Sequence, residues 1–433
     1  MSGLRLGDIQ RLPDVIDMVQ PPPLYEEKDL EELRESIQLI IADFVATNVR
    51  EYMFADFEER VAEHTRGPLM LLYEHAFETF KDINIDDFIS EGIYIYTSLV
   101  GIPRSRETSD VAPRRSKREI GQRIKALRTM PQPAQKTPEW FIFRWNRITA
   151  SSAWRALDSQ SSKNQLILSK CQPVDKRKYS RVNIGSATHH GQKYEDLSKT
   201  IYEVQYNTIV EEFGCIPDGK GAPIAASPDG INVRRENPRF GRLVEIKNPV
   251  SRKITGCPKK EYWVQMQIQM YVLELYECDF LETSFKEYAS EEEFMADGDF
   301  SRTAGGDRKG VIACFSSRAT PVYKYAPLDL RQGDFEEWLQ NTIDNSPGLT
   351  WVRNSYWRLE KMSCVLVPYN AAWMDCVLPE FRALWDIVLE ERKTGYEHRR
   401  PKKKKRKKAN AESQELQQGN VVIKVRTESF EVN

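Results

Sequence analysis

Between residues 190 and 275 the hydrophobic period changes twice, and this change restricts the fold more than any other feature of the 433-residue chain. Residues 190–205 space their apolar groups as a helix does. Three β-rich runs follow at 208–216, 222–233 and 242–250, separated by the turn sequences PDGKG and RENPRFG, and a second helical run covers 258–275. Turns this short predict an antiparallel meander. The flanking helices predict an α+β core with a central mixed β-sheet packed between helices.

The rest of the chain is read around that core. Residues 1–100 read as a loose arm and an acidic N-terminal helical domain, with Leu30, Leu33, Ile37 and Phe44 at helical spacing. Residues 101–136 carry Arg104, Arg106, Arg114, Arg115, Lys117, Arg118 and Arg123, and read as a basic linker. The core is expected over 137–330, opening with one helix-like segment at 139–157 and adding strands near 281–288 and 311–324. The polar, glycine-rich stretch 287–310 reads as a mobile surface loop. A helical extension at 331–395, with a strand or two around 363–367, and a low-order basic tail at 396–433 complete the expectation.

Composition narrows the function classes. With 40% hydrophobic and 29% charged residues the chain is neither collagen-like nor wholly disordered. No uncharged apolar run approaches the roughly 18 residues of a membrane span, so a soluble protein with no membrane partner is expected. The opening MSGLRLGDIQ lacks the apolar core of a signal peptide. Seven cysteines without a CxxC suggest a reducing compartment and argue against a cysteine-built zinc site. The net charge is −1, yet nine basic residues lie between 399 and 408, and without them the remainder is 54 − 64 = −10. Lys402, Lys403, Lys404, Lys405, Arg406, Lys407 and Lys408, led by Pro401, read as a nuclear import signal, which predicts a nuclear location.

The chemistry gathers in the second and third β-rich runs. Asp229 sits in Ser227-Pro228-Asp229-Gly230, and Glu245-Ile246-Lys247 follows apolar Leu243-Val244. Strand side chains alternate, so Glu245 and Lys247 share one face and Ile246 takes the other. In the right register Asp229 meets Glu245 across the ladder. Two carboxylates, the Ile246 carbonyl and a third acid, Glu195, from the preceding helix make a hard-oxygen set suited to Mg²⁺. Two such ions would stabilise both oxygens of a phosphodiester displacement, with Mn²⁺ a substitute. Lys247 would orient the attacking water or neutralise the phosphate. Of the three glutamines in the second helix, Gln265 is expected to reach Lys247 or the phosphate, while Gln267 and Gln269 read as amides of a core helix. No GxxxxGK[ST], GxSxG or HExxH occurs, which removes motor, serine-hydrolase and zincin readings.

Five blocks, in order, resemble the PD-(D/E)XK nucleases, and among them the lambda exonuclease / YqaJ-like viral recombinase group. They are Trp140-x-x-x-Arg144-x-x-x-Ile148-Thr149-Ala150-Ser151, Gly191-Gln192-x-Tyr194-Glu195, Ser227-Pro228-Asp229-Gly230, Glu245-Ile246-Lys247 and Gln265-Met266-Gln267. The stretch Cys278-Asp279-Phe280-Leu281-Glu282 is similar to versions from large double-stranded DNA viruses of eukaryotes, including their alkaline nucleases. The resemblance covers about 137–290 and implies a restriction-endonuclease-like core. It implies Asp229, Glu245 and Ile246 as metal ligands assisted by Glu195, with Lys247 acting on water and oriented by Gln265. Arg144, Ser151 and Ser227 would hold the 5′-terminal phosphate of DNA, with Trp140 stacking nearby. The implied activity is 5′→3′ digestion of double-stranded DNA ends that leaves 3′ single strands, in company with an annealing or single-strand-binding protein and as a homo-oligomer. A structure-specific endonuclease and an inactive DNA-binding scaffold are the alternatives.

Overall fold

Apolar residues three and four apart draw residues 27–100 into helices α1 (Glu27–Thr47), α2 (Phe57–Leu72) and α3 (Ile85–Val100). The computed structural model describes residues 27–54, 56–73, 84–100, 115–133, 137–174, 186–317 and 320–401. The import-signal residues Lys402 to Lys408 therefore lie outside the described residues. Helices α1 and α3 close on Gly92, where a Cβ would stand 2.4 Å from Ile37 Cγ2.

The expected linker is partly a helix, α4 (Lys117–Thr129). Ser116 and Glu119 form a capping box at its start, and Ile120, Ile124 and Leu127 are buried on one face. Its basic residues occupy the remaining faces, and their density hides that apolar stripe in the sequence. The helix expected over 139–157 is likewise divided into α5 (Pro138–Trp145), β1 (Ile148–Thr149) and a short helical turn, with α6 (Gln160–Cys171) beyond. Ile148 and Thr149 are drawn into extended conformation by parallel pairing with Ile224 and Ala225.

The core follows with α7 (Ala187–Tyr206), β2 (Val210–Glu211), β3 (Ile216–Pro217), β4 (Ile224–Ala226), β5 (Gly230–Asn232), β6 (Leu243–Lys247), α8 (Lys260–Leu273) and β7 (Glu277–Glu287). The three β-rich runs do not form one meander. They split between a three-stranded sheet, β1-β4-β3, and a seven-stranded mixed sheet that begins β2-β5-β6-β7. The split falls at Ser227-Pro228-Asp229, where proline ends the ladder and the chain crosses from β4 to β5.

The last elements are α9 (Glu291–Ala296), β8 (Lys309–Ser317), β9 (Thr320–Tyr325), α10 (Phe335–Asp344), β10 (Thr350–Pro368) and α11 (Ala371–Thr394). The large sheet finishes β7-β10-β8-β9, so β10 lies inside it, antiparallel to both neighbours. Residues 331–395 are helical at 335–344 and 371–394, as expected, and the strand between them, far longer than expected, lies inside the sheet. Charged Arg353, Arg358, Glu360 and Lys361 and two register shifts interrupt the period-2 pattern of this 19-residue strand. The stretch expected to be a mobile loop instead packs, with Phe294 and Phe300 buried.

Helix α8 packs on one face of the large sheet and α7 on the other. Leu243, Cys278 and Phe280 share a core with α8, while Val244, Ile246 and Leu281 pack under Tyr202 of α7. Arg123 ties α4 to the C-terminal end of α8, donating to the Leu273 carbonyl at 2.8 Å and the Val272 carbonyl at 3.1 Å.

Candidate active site

Strands β5 and β6 pair antiparallel, with Gly230 opposite Val244 and Ile231 opposite Leu243. One residue further along the same register, Asp229 stands opposite Glu245. Glycine is required next to it, because a Cβ on Gly230 would lie 2.1 Å from Val210 Cγ1. The alternation expected of β6 holds. Ile246 enters the α7 side of the sheet, while fully buried Glu245 and part-exposed Lys247 face α8.

The groups on that face are closely engaged. The Lys247 ammonium is ion-paired with Glu245 Oε1. The Ile246 N–H donates to Asp229 Oδ2 at 2.7 Å, so this residue meets the cluster through its amide. Burial, and next the charge of Glu245, push the Asp229 carboxyl well above its ordinary value. Burial opposes the Lys247 charge, but Glu245 and Asp229 outweigh it and raise that ammonium's pKa. Glu195, on α7, is exposed at its side chain. Its pKa is raised by the protein packed around its carboxyl, then by the charges of Asp196 and Glu245.

Asp229, Glu245 and Lys247 thus meet as the alternation predicts, and Glu195 stands within electrostatic reach. Among the described residues no group of three or more His, Cys, Asp or Glu side chains forms a ready metal cage. The site offers two adjacent carboxylates with a third acid nearby. Their oxygen chemistry suits a hard divalent cation, and a positive charge between them would relieve the repulsion that raises Asp229.

The glutamine nearest the acids is not the expected one. Lys247 pairs with Glu245 rather than with Gln265. Gln269, set aside as a core amide, donates to Glu245 Oε2 at 2.7 Å and to the Ser227 carbonyl at 3.3 Å. Gln267 is structural as expected, donating to the Pro368 carbonyl at 2.9 Å and accepting from Asn370 N–H at 2.8 Å. Gln265 and Gln269 are one helical turn apart, so they share a face, and the sequence pattern alone does not choose between them.

A second cluster lies where β1 and β4 run side by side. Thr149 pairs with Ala225, so Ser151 and Ser227 leave the same end of the two strands. The Arg144 guanidinium lies 4.4 Å from the Trp140 ring centroid, with Nη2 3.5 Å from Ser151 Oγ. Ser227 Oγ is 3.4 Å from the Phe213 carbonyl, and its own carbonyl is the link to Gln269. Lys170 donates to the Arg144 carbonyl at 2.8 Å. Burial, then the charge of Arg144, pulls the Lys170 ammonium down to about 7. Such a collection of cations favours an anion.

One further acid and one base had no role assigned from the sequence. Arg252 is ion-paired with Glu282, which lies beside Lys247 on β7. Glu282 follows Phe280 at the period of a strand, which was the available signal.

Residues 139–276 match the YqaJ-like viral recombinase domain, the stretch on which the motif resemblance rests. An uncharacterized protein of Acanthamoeba polyphaga mimivirus is 30% identical over 309 residues, covering 62% of this chain. The chain spans about half, 54%, of that relative's length. Among solved structures, an alkaline exonuclease from Laribacter hongkongensis aligns at 20% identity with a TM-score of 0.33, covering 60% of this chain and 95% of that one. A phage-related exonuclease from Haemophilus somnus aligns at 11% identity with a TM-score of 0.29, covering 57% and 96%.

Proposed function

We propose that this chain is a metal-dependent exonuclease that hydrolyses double-stranded DNA from 5′ ends and leaves 3′ single strands for viral DNA recombination, replication or processing. The observation that carries this reading is the meeting of Asp229, Glu245 and Lys247 on one face of β5 and β6, inside the segment that matches the recombinase domain. Asp229, Glu245, the Ile246 carbonyl and Glu195 would hold a pair of Mg²⁺ ions, or Mn²⁺ in their place, which would supply charge neutralisation and lower the pKa of water.

The chain's own residues do the remaining work. Lys247, kept protonated beside Glu245, orients the attacking water and offsets charge growing on the phosphate. Gln269 holds the Glu245 carboxylate in place from α8, with Gln265 one turn before it. Arg144, Ser151 and Ser227 take the 5′-terminal phosphate, an Arg fork and two hydroxyls being suited to it. Trp140 steadies the Arg144 guanidinium by stacking. The basic run 402–408 directs the protein to the nucleus, where an annealing or single-strand-binding protein takes the product strand and copies of the chain assemble.

Linear duplex DNA labelled at either end tests this reading. Release of the 5′ label in Mg²⁺, silence in EDTA and an intact circular duplex are expected. Circular duplex cut as fast as linear would replace the exonuclease with an endonuclease at the same site, and no cutting with any divalent ion would leave a binding scaffold.

A further inference from the structure

Beside the proposed catalytic lysine stands a carboxylate that the fold buries without fully satisfying. Lys247 on β6 is directly opposite Glu282 on the parallel strand β7, so both side chains leave the sheet on the α8 face. Glu282 is wholly buried, and among the described residues its Oε2 has no hydrogen-bond partner, while Oε1 is paired with Arg252 Nη2. Arg252 lies in the segment between β6 and α8, and its side chain is 21% exposed. Among the described residues its Nη1 reaches only the neighbouring Lys253 carbonyl, at 3.4 Å. The guanidinium of Arg252 and the ammonium of Lys247 stand 5.7 Å and 5.1 Å from the centroid of the same ring, Tyr262 on the first turn of α8.

Two other Arg–Glu pairs in this protein are held at both carboxylate oxygens, although the buried Arg242–Glu277 pair has one bond. Arg128 reaches both carboxylate oxygens of Glu211, and Arg399 reaches both of Glu391. A two-point fork is the arrangement that compensates a carboxylate for lost water. Arg252 gives Glu282 a single nitrogen and leaves the second oxygen orphaned in the interior, which is costly for a pair kept only for stability. The guanidinium is also partly exposed and lies against the same Tyr262 ring as Lys247.

We propose that Arg252 is a DNA-phosphate contact flanking the scissile bond, and that Glu282 is the buried positioning residue that holds its guanidinium over Tyr262 beside Lys247. This inference rests on the nuclease reading for its place in the reaction, but the DNA contact can be measured without cleavage. A guanidinium neutralising one phosphate releases counterions, so its loss lowers the salt dependence of binding by about one unit of slope.

The test uses the full chain and a short 5′-phosphorylated duplex, with binding read by fluorescence anisotropy in EDTA across a salt series. R252A is expected to weaken binding about fivefold at low salt and to flatten log Kd against log[salt] by about 0.9. R252K is expected to keep the slope, having kept the charge. E282Q, close in shape and without the charge, is expected to retain the slope while lowering kcat at least tenfold in Mg²⁺ and moving KM less than twofold. R252A with wild-type affinity and slope overturns the phosphate contact, and E282Q with wild-type kcat overturns the positioning role. Should E282Q fail to fold, as melting would reveal, R252A and R252K still decide the contact. A wild-type protein that binds DNA with these slopes but never cuts it sinks the nuclease reading and leaves the contact standing.

Discussion

Asp229 stands opposite Glu245 across the β5–β6 ladder, and its Oδ2 accepts the N–H of Ile246, the residue between Glu245 and Lys247. One short hydrogen bond of 2.7 Å therefore ties the first acid to the backbone that carries the other two groups. Removing Asp229 deletes one acid of the proposed metal site, whose charge would repel a DNA phosphate. D229A is expected to lose cleavage by at least a thousandfold while binding duplex DNA as tightly as wild type or more so. Cleavage assays paired with anisotropy in EDTA check this, and digestion at the wild-type rate would refute the site.

Gln269 and Gln267 lie two residues apart on α8 and do different jobs. Q269A frees Glu245 Oε2, so kcat is expected to fall tenfold to a hundredfold with a small change in melting temperature. Q267A uncouples Asn370, whose side chain caps the first turn of α11 by accepting from Trp373 N–H. Its expected cost is about 1–3 kcal/mol of stability, with activity per folded molecule retained. Steady-state kinetics and urea unfolding on both variants would show whether the two effects separate.

Arg144 and Trp140 give the third test. R144A is expected to slow digestion of 5′-phosphorylated ends by tenfold or more and of 5′-hydroxyl ends by less than threefold. Equal slowing of both substrates would make Arg144 a structural residue.

Lys170 offers a pH signature away from the acids. Its ammonium falls from an ordinary 10.5 to about 7 in the folded protein, first through burial and then through Arg144. The unfolded chain therefore binds this proton more tightly between those values, and stability rises with pH across that window. Below about pH 7 the penalty is fully present. Urea unfolding at pH 7 and pH 9 is expected to show wild type gaining about 2 kcal/mol relative to K170M. Parallel pH curves for the two proteins would contradict the assignment.

The sequence made some of this legible and concealed the rest. Glu245 and Lys247 on one face with Ile246 on the other follows from the strand period alone, and the order of the acids along the chain pointed to their meeting. Which glutamine touches Glu245 was not legible, because Gln265 and Gln269 share a helix face and only the depth of packing against β6 separates them. Ile120, Ile124 and Leu127 form a helical stripe that was readable but masked by the arginines and lysines between them.

Local periodicity and motif spacing, which depend on neighbours in the chain, determined the helices of residues 27–100, the core helices α7 and α8, and the acid-rich strand pair. Only the tertiary structure decided that β10 runs through the middle of the large sheet, that β1 pairs with β4, and that Glu282 comes to rest beside Lys247. Those outcomes depend on hydrogen-bond ladders between residues far apart in sequence, such as Lys247 and Glu282 or Leu281 and Cys364. A strand's own side chains record which face is buried, but not which partner will pair with its edge.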